Sequence, residues 1–497
     1  MEMECNEWGA VPERKSLPYP TEKREWFFAA GVLIVAMALA NFVLYGGFSL
    51  GFAIATVVLT VITALYLLSR GHKLTGYSSA LLILSLVITA GFARSDDGFV
   101  KFVMVFFLLV AENLGLCLLA GKNLRNPGTF QTVWDAFRTL FSFGLGQLPY
   151  SLLGLRNAAR NSGRAGKVGG SLLRGLLLAV PLLAVVILLL VQADAAFNGL
   201  VSLLPEVDGL AVCGTLCLGA GAFCWLFTRG TALHHGEAPL PEGKKRKGVY
   251  PLTVNTVLGA LCLVYLVYLF SQLAYFAGGF AGILPEGFTM AEYARRGFFE
   301  MAWLCVINLG TVAIAVGVVE KKGKTPLSTR LLCLFISLIT LFFVVAASTK
   351  MGMYIGSYGL TRLRVLTEVI MLFLAITTIV VAVWLFVPRL PYMKAVLLVG
   401  LVMGALVLWA DVDTVVSSYN VSAYLSGRLE SVDVTYLASL SDGAVPSIAK
   451  LLDADNKEIA SLAWRHLQRM ENNRWDDFRD WNYVNYIAEQ ILSHILG

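Results

Sequence analysis

Along the chain, long apolar blocks alternate with short polar connections, and this rhythm sets the fold class before any single residue does. Blocks of about 20 apolar residues have the length at which a helix, rising 1.5 Å per residue, crosses a hydrocarbon core about 30 Å thick. Inside such a core every backbone group must be paired within its own segment, so the blocks are predicted to be helices. Eleven spans are predicted near residues 26–46, 50–69, 76–93, 102–120, 172–192, 209–228, 251–276, 298–319, 331–349, 365–387 and 395–411. The expected class is an all-α polytopic transmembrane bundle.

Composition agrees with the pattern. Of 497 residues, 57% are hydrophobic and only 14% charged, far from the roughly quarter-charged norm of soluble domains. Charge adds orientation, because cytoplasmic loops retain Lys and Arg. Alternating the loops from a cytoplasmic N-terminus puts 25 of the 39 basic residues on the inner side, including Arg229 and the run Lys244, Lys245, Arg246 and Lys247. The loop over 193–208, on the other side, has none. The net charge of +6 is therefore a topology signal and does not point to nucleic acid. With an odd number of spans the C-terminal tail lies outside, giving a multi-pass protein of a cell membrane. Segment 26–46 reads as a signal anchor, since the preceding stretch with Pro12, Pro18 and Pro20 is too long and charged for a signal-peptide start.

The predicted organisation is a cytoplasmic tail over 1–25, four spans over 26–120, an amphipathic inner segment over 121–171, seven spans over 172–411 and an external helical domain over 412–497. In the inner segment, Phe130, Val133, Trp134, Phe137, Leu140 and Phe141 share a helical face beside Arg138. That face suits either a helix lying in the headgroup region or one covering the inner ends of the spans. The loop over 229–250 reads as a linker between two bundles. Helix-compatible stretches in the tail run near 432–440, 444–453, 456–472 and 480–496, broken at Asp442-Gly443 and near Asn472 and Asn473. The Cys-free tail excludes a disulfide framework there.

Polar groups within spans are the informative ones, because each charge at the bilayer centre costs about 2.5–3.5 kcal/mol on insertion scales. Glu112, followed by Asn113, falls in the middle of the fourth span with no partner assignable from sequence. It reads either as an ion-coupled carboxylate or as a protonated Glu hydrogen-bonded between helices. A denser group lies toward the outer side: Tyr293, Arg296 and Glu300 on one face of the helix entering the eighth span, and Arg364 with Glu368 opening the tenth, with Lys350, Tyr354 and Tyr358 just upstream. Crossed pairs of Arg296 with Glu368 and Arg364 with Glu300 would clamp the two spans; the alternative is a polar cavity for a charged solute or headgroup.

Cys213, Cys217 and Cys224 share a face of the sixth span, but with Gly214, Ala220 and Gly221 beside them a close-packing seam reads better than a metal site. His72, His234, His235, His466 and His494 fall outside the predicted spans and show no metal-ligand spacing, and no nucleophile, phosphate-loop or kinase motif is visible. No cofactor is implied, and the enzyme reading is the weakest.

Four strings carry a resemblance: YARRGFFE leading into WLCVINLG, STKMGMYIGSYGLTRLRVLTEV, NVSAYLSGRLESVDVTYLASLSDGAVPSIAKLL, and WDDFRDWN. Together they resemble a bacterial multi-spanning membrane-protein family known only as a domain of unknown function, strongly over 290–497 and elsewhere in the pattern of spans. The resemblance implies a bacterial cytoplasmic membrane and assigns no activity. Two readings stay open. One is a binding or signalling component engaging a lipid, envelope ligand or protein through 412–497 and the outer polar site. The other is a permease using Glu112 and the outer Arg/Glu group.

Overall fold

The computed structural model describes residues 23–122, 131–149, 209–236, 248–280, 298–320, 325–471 and 478–496, with Ser151, Leu153 and Val186 as isolated positions. The protein is an all-α polytopic membrane bundle. Its long helices are α1 Lys23–Tyr45, α2 Leu50–Ser69, α3 Gly76–Phe92 and α4 Gly98–Leu119, then, beyond the short α5 Gln131–Arg138, α6 Gly209–His235 and α7 Pro251–Phe280. They continue as α8 Phe298–Val318, α9 Leu327–Tyr358, α10 Arg362–Phe386 and α11 Tyr392–Ala410. Nine of these are long and apolar enough to cross a membrane, and α3 is a shorter apolar helix. Ten predicted spans thus find their helices; the one near 172–192 lies outside the described residues.

Local chemistry explains several boundaries. Thr75 and Ser78 form a reciprocal capping box that opens α3. Asp97 caps α4 by accepting the amides of Phe99 and Val100 at 3.0 and 3.1 Å. Gly359, at φ +72°, ends α9, and any Cβ there would come within 2.5 Å of Asn420 Oδ1, so the α9–α10 corner needs glycine.

Helices α1, α2 and α6 enclose one apolar cluster, with Val32, Ala36, Leu67 and Ala232 at its centre. The α1–α6 contact is close because Gly219 and Gly230 admit Met37 and Phe28 where a Cβ would collide, whereas of the glycines in the seam expected on α6 Gly221 faces open space and Gly214 meets Leu44 only at 3.6 Å. Helices α7 to α10 enclose two further clusters. Between the two groups, α11 packs on α3 and α4 on one side and on α10 on the other. The predicted linker is shorter than expected, because α6 runs on to His235, and its 237–247 core lies outside the described residues. The apolar inner segment packs on α4 and continues as one π-helical turn, Thr139–Phe143. Trp225 donates to Leu140 O at 3.0 Å, while Phe137, Phe141 and Leu145 stay exposed. It therefore covers the bundle and also presents an apolar stripe.

The C-terminal part holds α12 Val412–Leu425, α13 Val434–Ala438, α14 Val445–Ala449, α15 Lys457–Glu471 and α16 Tyr483–Leu496, with short 3-10 turns between them. The helix α12 was not anticipated: the chain turns at Asp411, whose φ of +53° lies in the left-handed region, and resumes helix at once. The apolar stripe that the sequence sets on α15, Ile459, Leu462, Ala463, Leu467 and Met470, is buried at Ala463 and Leu467. Of the stripe it sets on α16, Trp481, Val484, Ile487, Ile491 and Ile495, Val484 alone is buried, beside Ala488 and Leu492, and Trp481 is exposed. Ala463, Leu467, Ala488 and Leu492 share one core with Phe92, Val100, Leu401 and Leu408 of the long helices. The tail is therefore seated on the ends of α3, α4 and α11, and that end of the bundle is called the tail face below.

Candidate functional site

Four polar groups on or between the long helices bear on function. The first contains Glu112, for which the sequence offers no partner. Arg229 of α6 donates to Glu112 Oε1 at 2.9 Å and to Asn113 Oδ1 at 3.0 Å. Glu112 is 3% exposed and Arg229 1%. Arg229 was expected in a basic loop; it lies inside because α6 extends a further seven residues, about two turns, past the predicted span end at 228. Glu112 is thus paired rather than solitary, and Trp225 stacks on the guanidinium at 5.4 Å.

The second place is the predicted outer group. Tyr293 and Arg296 lie outside the described residues. Arg364 stacks on the Tyr354 ring at 4.0 Å and donates to the carbonyls of Tyr358 (3.2 Å) and Gly359, at the C-terminal end of α9. That is where a cation is favoured by unpaired carbonyls, so its partners among the described residues are a ring and a helix end, and no ion pair with Glu300 is formed. Glu300 is exposed and within electrostatic reach of Lys350. Glu368 faces Ser348 of α9, and its Oε1 is buried with no hydrogen-bond partner among the described residues. Tyr358 is exposed and meets Tyr354 edge-on.

The third cluster, at the tail face, was not anticipated. Asp411, buried at the α11–α12 corner, accepts from Ser95 Oγ at 2.7 Å, Thr414 Oγ1 at 2.6 Å and the amides of Asp96 and Thr414. Gly443 of the tail packs against it so closely that a Cβ would meet Asp411 Oδ2 at 2.4 Å. Asp413 accepts from Arg362 Nε at 2.8 Å and from the Ser441 amide at 2.9 Å, and Arg362 also reaches Asp97 at 3.3 Å. Asp96 accepts from Asn482 Nδ2 at 3.0 Å and the Asp442 amide at 3.4 Å. Asn420 clamps the α9–α10 corner by exchanging two hydrogen bonds with Leu360. Buried Lys101 lies among Asp96, Asp411, Asp480 and Asp97.

Electrostatics follow from these counts. Carboxylates outnumber Lys101 and Arg362, and burial disfavours their charged form. Burial raises Asp96, against the pull of Lys101, and raises Asp97 despite the Val100 amide. Asp442, buried and facing Asp96, is pushed up to about 6. The arrangement can couple tail to spans and can take up protons at that seam.

A smaller cluster occupies the opposite end of α1, α2 and α6. Glu25, 2% exposed, receives Arg70 at 3.1 Å, His235 Nε2 at 2.6 Å and Tyr66 OH at 3.4 Å, and His72 and His234 meet at 3.1 Å. Helix α6 thus takes His234 and His235 into its last turn, where the sequence reading had them in a loop. Among the described residues no three His, Cys, Asp or Glu side chains are set to hold a metal ion.

Only the Asp-rich span ends, Asp96-Asp97 and Asp411-Val412-Asp413, could have flagged the tail-face network in the sequence. They are acidic at the point where spans end, and basic residues nearby drew the attention instead.

A family model described as a domain of unknown function, DUF4153, matches residues 19–451. The match takes in the first half of the chain as well as the second, and stops before α15 and α16, so its extent differs from the stretch over 290–497 on which the resemblance was strongest. No curated protein and no solved structure matches.

Proposed function

The chain belongs to the DUF4153 family, and from that premise we propose that it is a binding and signalling component of the membrane, whose C-terminal helices engage a ligand or partner and pass the effect to α4, α10 and α11. The observation that carries this reading is the Asp96–Asp97–Asp411–Asp413 network, which ties tail amides at Ser441 and Asp442 to the ends of three long helices. Such a polar seam has directional bonds that break or reform as a unit, unlike a uniformly apolar contact. In this reading the N-terminus is cytoplasmic and the tail lies outside a bacterial cytoplasmic membrane, as the loop charges require. The neighbourhood of Glu300, Lys350, Tyr354, Tyr358, Arg364 and Glu368 is a second contact surface on the same side.

The permease reading is less well supported. It needs Glu112 to meet solute or protons, whereas Arg229 and Asn113 hold that carboxylate in a buried pair. The test has two arms. Hydrogen exchange on purified Asp413→Asn is expected to speed up together in 434–453 and in the first turns of α10; faster exchange confined to the tail would refute coupling. Proteoliposomes are expected to show no proton or cation flux that depends on Glu112, and a flux abolished by Glu112→Gln would restore the permease. Protease added to intact spheroplasts should cut the tail, and cutting only after lysis would reverse the orientation.

A further inference from the structure

Between α4 and α10 runs a lateral cleft of about 600 Å³ lined entirely by apolar residues. Its origin is a packing geometry: α11 packs on α4 and on α10, while α4 and α10 hardly touch, so α11 becomes the floor of a trough. Val103 and Phe107 form one wall and Leu366 and Phe373 the other. The floor stays low because it carries Gly400 and Gly404, where a Cβ would press on Phe373 at 3.3 Å and on Met104 and Phe107 at 3.1 Å. Along the floor the lining runs from Met393 to Val407, about 21 Å at 1.5 Å per residue. Phe106 and Ile370 at the rims are exposed, so the trough opens toward the surrounding bilayer.

The occupant follows from shape and charge. The lining offers no polar side chain to a polar solute, whose desolvation would go uncompensated. A helix about 10 Å across with its side chains would fill the volume in about one and a half turns, so the trough is too slender for a partner's span. A single extended alkyl chain fits both width and length. The head of the trough is fixed by Asp97, which caps Phe99 and Val100 at the start of the α4 wall, and by Arg362, one turn above Leu366. Arg362 is already shared by Asp97 and Asp413, and the second cation, buried Lys101, lies among Asp96, Asp97 and Asp411. Carboxylates therefore exceed cations at the head, which disfavours a net-negative headgroup by like-charge repulsion.

We propose that this cleft is a binding site for one alkyl chain of a bilayer phospholipid whose headgroup is zwitterionic rather than anionic. The cleft itself rests on the long helices, while its head shares Asp97 and Arg362 with the network of the signalling reading. The test is native mass spectrometry of the full-length protein released from detergent containing equal amounts of palmitoyl-oleoyl phosphatidylethanolamine and phosphatidylglycerol. The wild type is expected to retain one tightly held phosphatidylethanolamine in preference to phosphatidylglycerol. Two substitutions fill the trough differently: Gly404→Leu from the buried floor and Ile370→Trp from the exposed rim, where folding is not at stake. Both should lose that lipid, while Leu372→Trp, exposed on another face of α10, should keep it. Retention unchanged in Ile370→Trp, equal retention of phosphatidylglycerol, or a co-purifying polypeptide displaced by Ile370→Trp in place of a lipid would each overturn the proposal.

Discussion

The two ends of the bundle solve the problem of buried charge with opposite balances. At the tail face, Asp96, Asp97, Asp411, Asp413 and Asp442 surround Lys101 and Arg362. At the other end Glu25 gathers Arg70 and His235, with His72 and His234 alongside, and Asp135 pairs with Arg138 at 3.8 Å, so cations outnumber carboxylates there. Each end ties segments far apart in sequence, yet one titrates through acids held above their ordinary range and the other through an imidazole held below its own: burial, with Lys122 nearby, lowers His72. Between them, Arg229 and Glu112 form a balanced pair with no solvent access. The contrast teaches that charge in this fold sits on seams between helices, and that the two unbalanced seams are held in opposite directions by burial.

The balanced pair should show the largest effect. Arg229→Met leaves Glu112 buried without its partner and is expected to lower stability by about 3–5 kcal/mol, read as a fall in the thermal midpoint in detergent. The double variant Arg229→Met with Glu112→Gln should recover much of it; no recovery would mean that Arg229 acts by packing alone. Next comes Arg362→Ala, which strips charge-assisted hydrogen bonds from Asp413 and Asp97. Each such bond contributes about 1.5–3 kcal/mol, and the side chain is 32% exposed, so a loss near the lower end, about 2 kcal/mol, is expected, visible as faster proteolysis of the tail.

The pH responses of the two ends should run in opposite directions. Asp442 has its carboxyl raised from 3.8 to about 6, so seating of the tail is fully supported below about 4 and weakens as pH rises through about 6. His72 is lowered from 6.5, so its contribution is present above 6.5 and is lost as pH falls below that value. Amide protection, corrected for the intrinsic pH dependence of exchange, is expected to be higher at pH 5 than at pH 7.5 around 441–445, and lower at pH 5 around 70–75. Asp442→Asn should flatten the first trend and leave the second; a parallel response at both ends would break the comparison. The smallest effect is expected from Arg364→Lys, which keeps the charge but loses planar stacking on Tyr354, at about 0.5–1 kcal/mol by thermal shift.

Glu112 shows how far reading the chain in one dimension reaches. Its cost at mid-membrane was legible, but Arg229 lies 117 positions away, and whether it belonged to a loop or a helix depended on where α6 stops. The α9–α10 corner is a similar case. Arg364 and Glu300 have the right spacing to pair, but Arg364 meets the carbonyls of its own corner first, because Gly359 turns the chain back toward it. His234 and His235 were set apart from His72 by sequence distance and joined by the α2–α6 contact.

What the sequence by itself determined is the helical class, the places of ten described helices, with α6 and α9 running seven and nine residues past their predicted ends, and the apolar stripe of α15. These depend on local length and periodicity, which a hydrocarbon core reads segment by segment. The tertiary structure alone decided which charges pair, how Asp411 bends the chain to seat the tail, and the trough left where α11 holds α4 and α10 apart. Those features are relations between helices distant in the chain, and their energies depend on separations of a few ångströms that no single segment encodes.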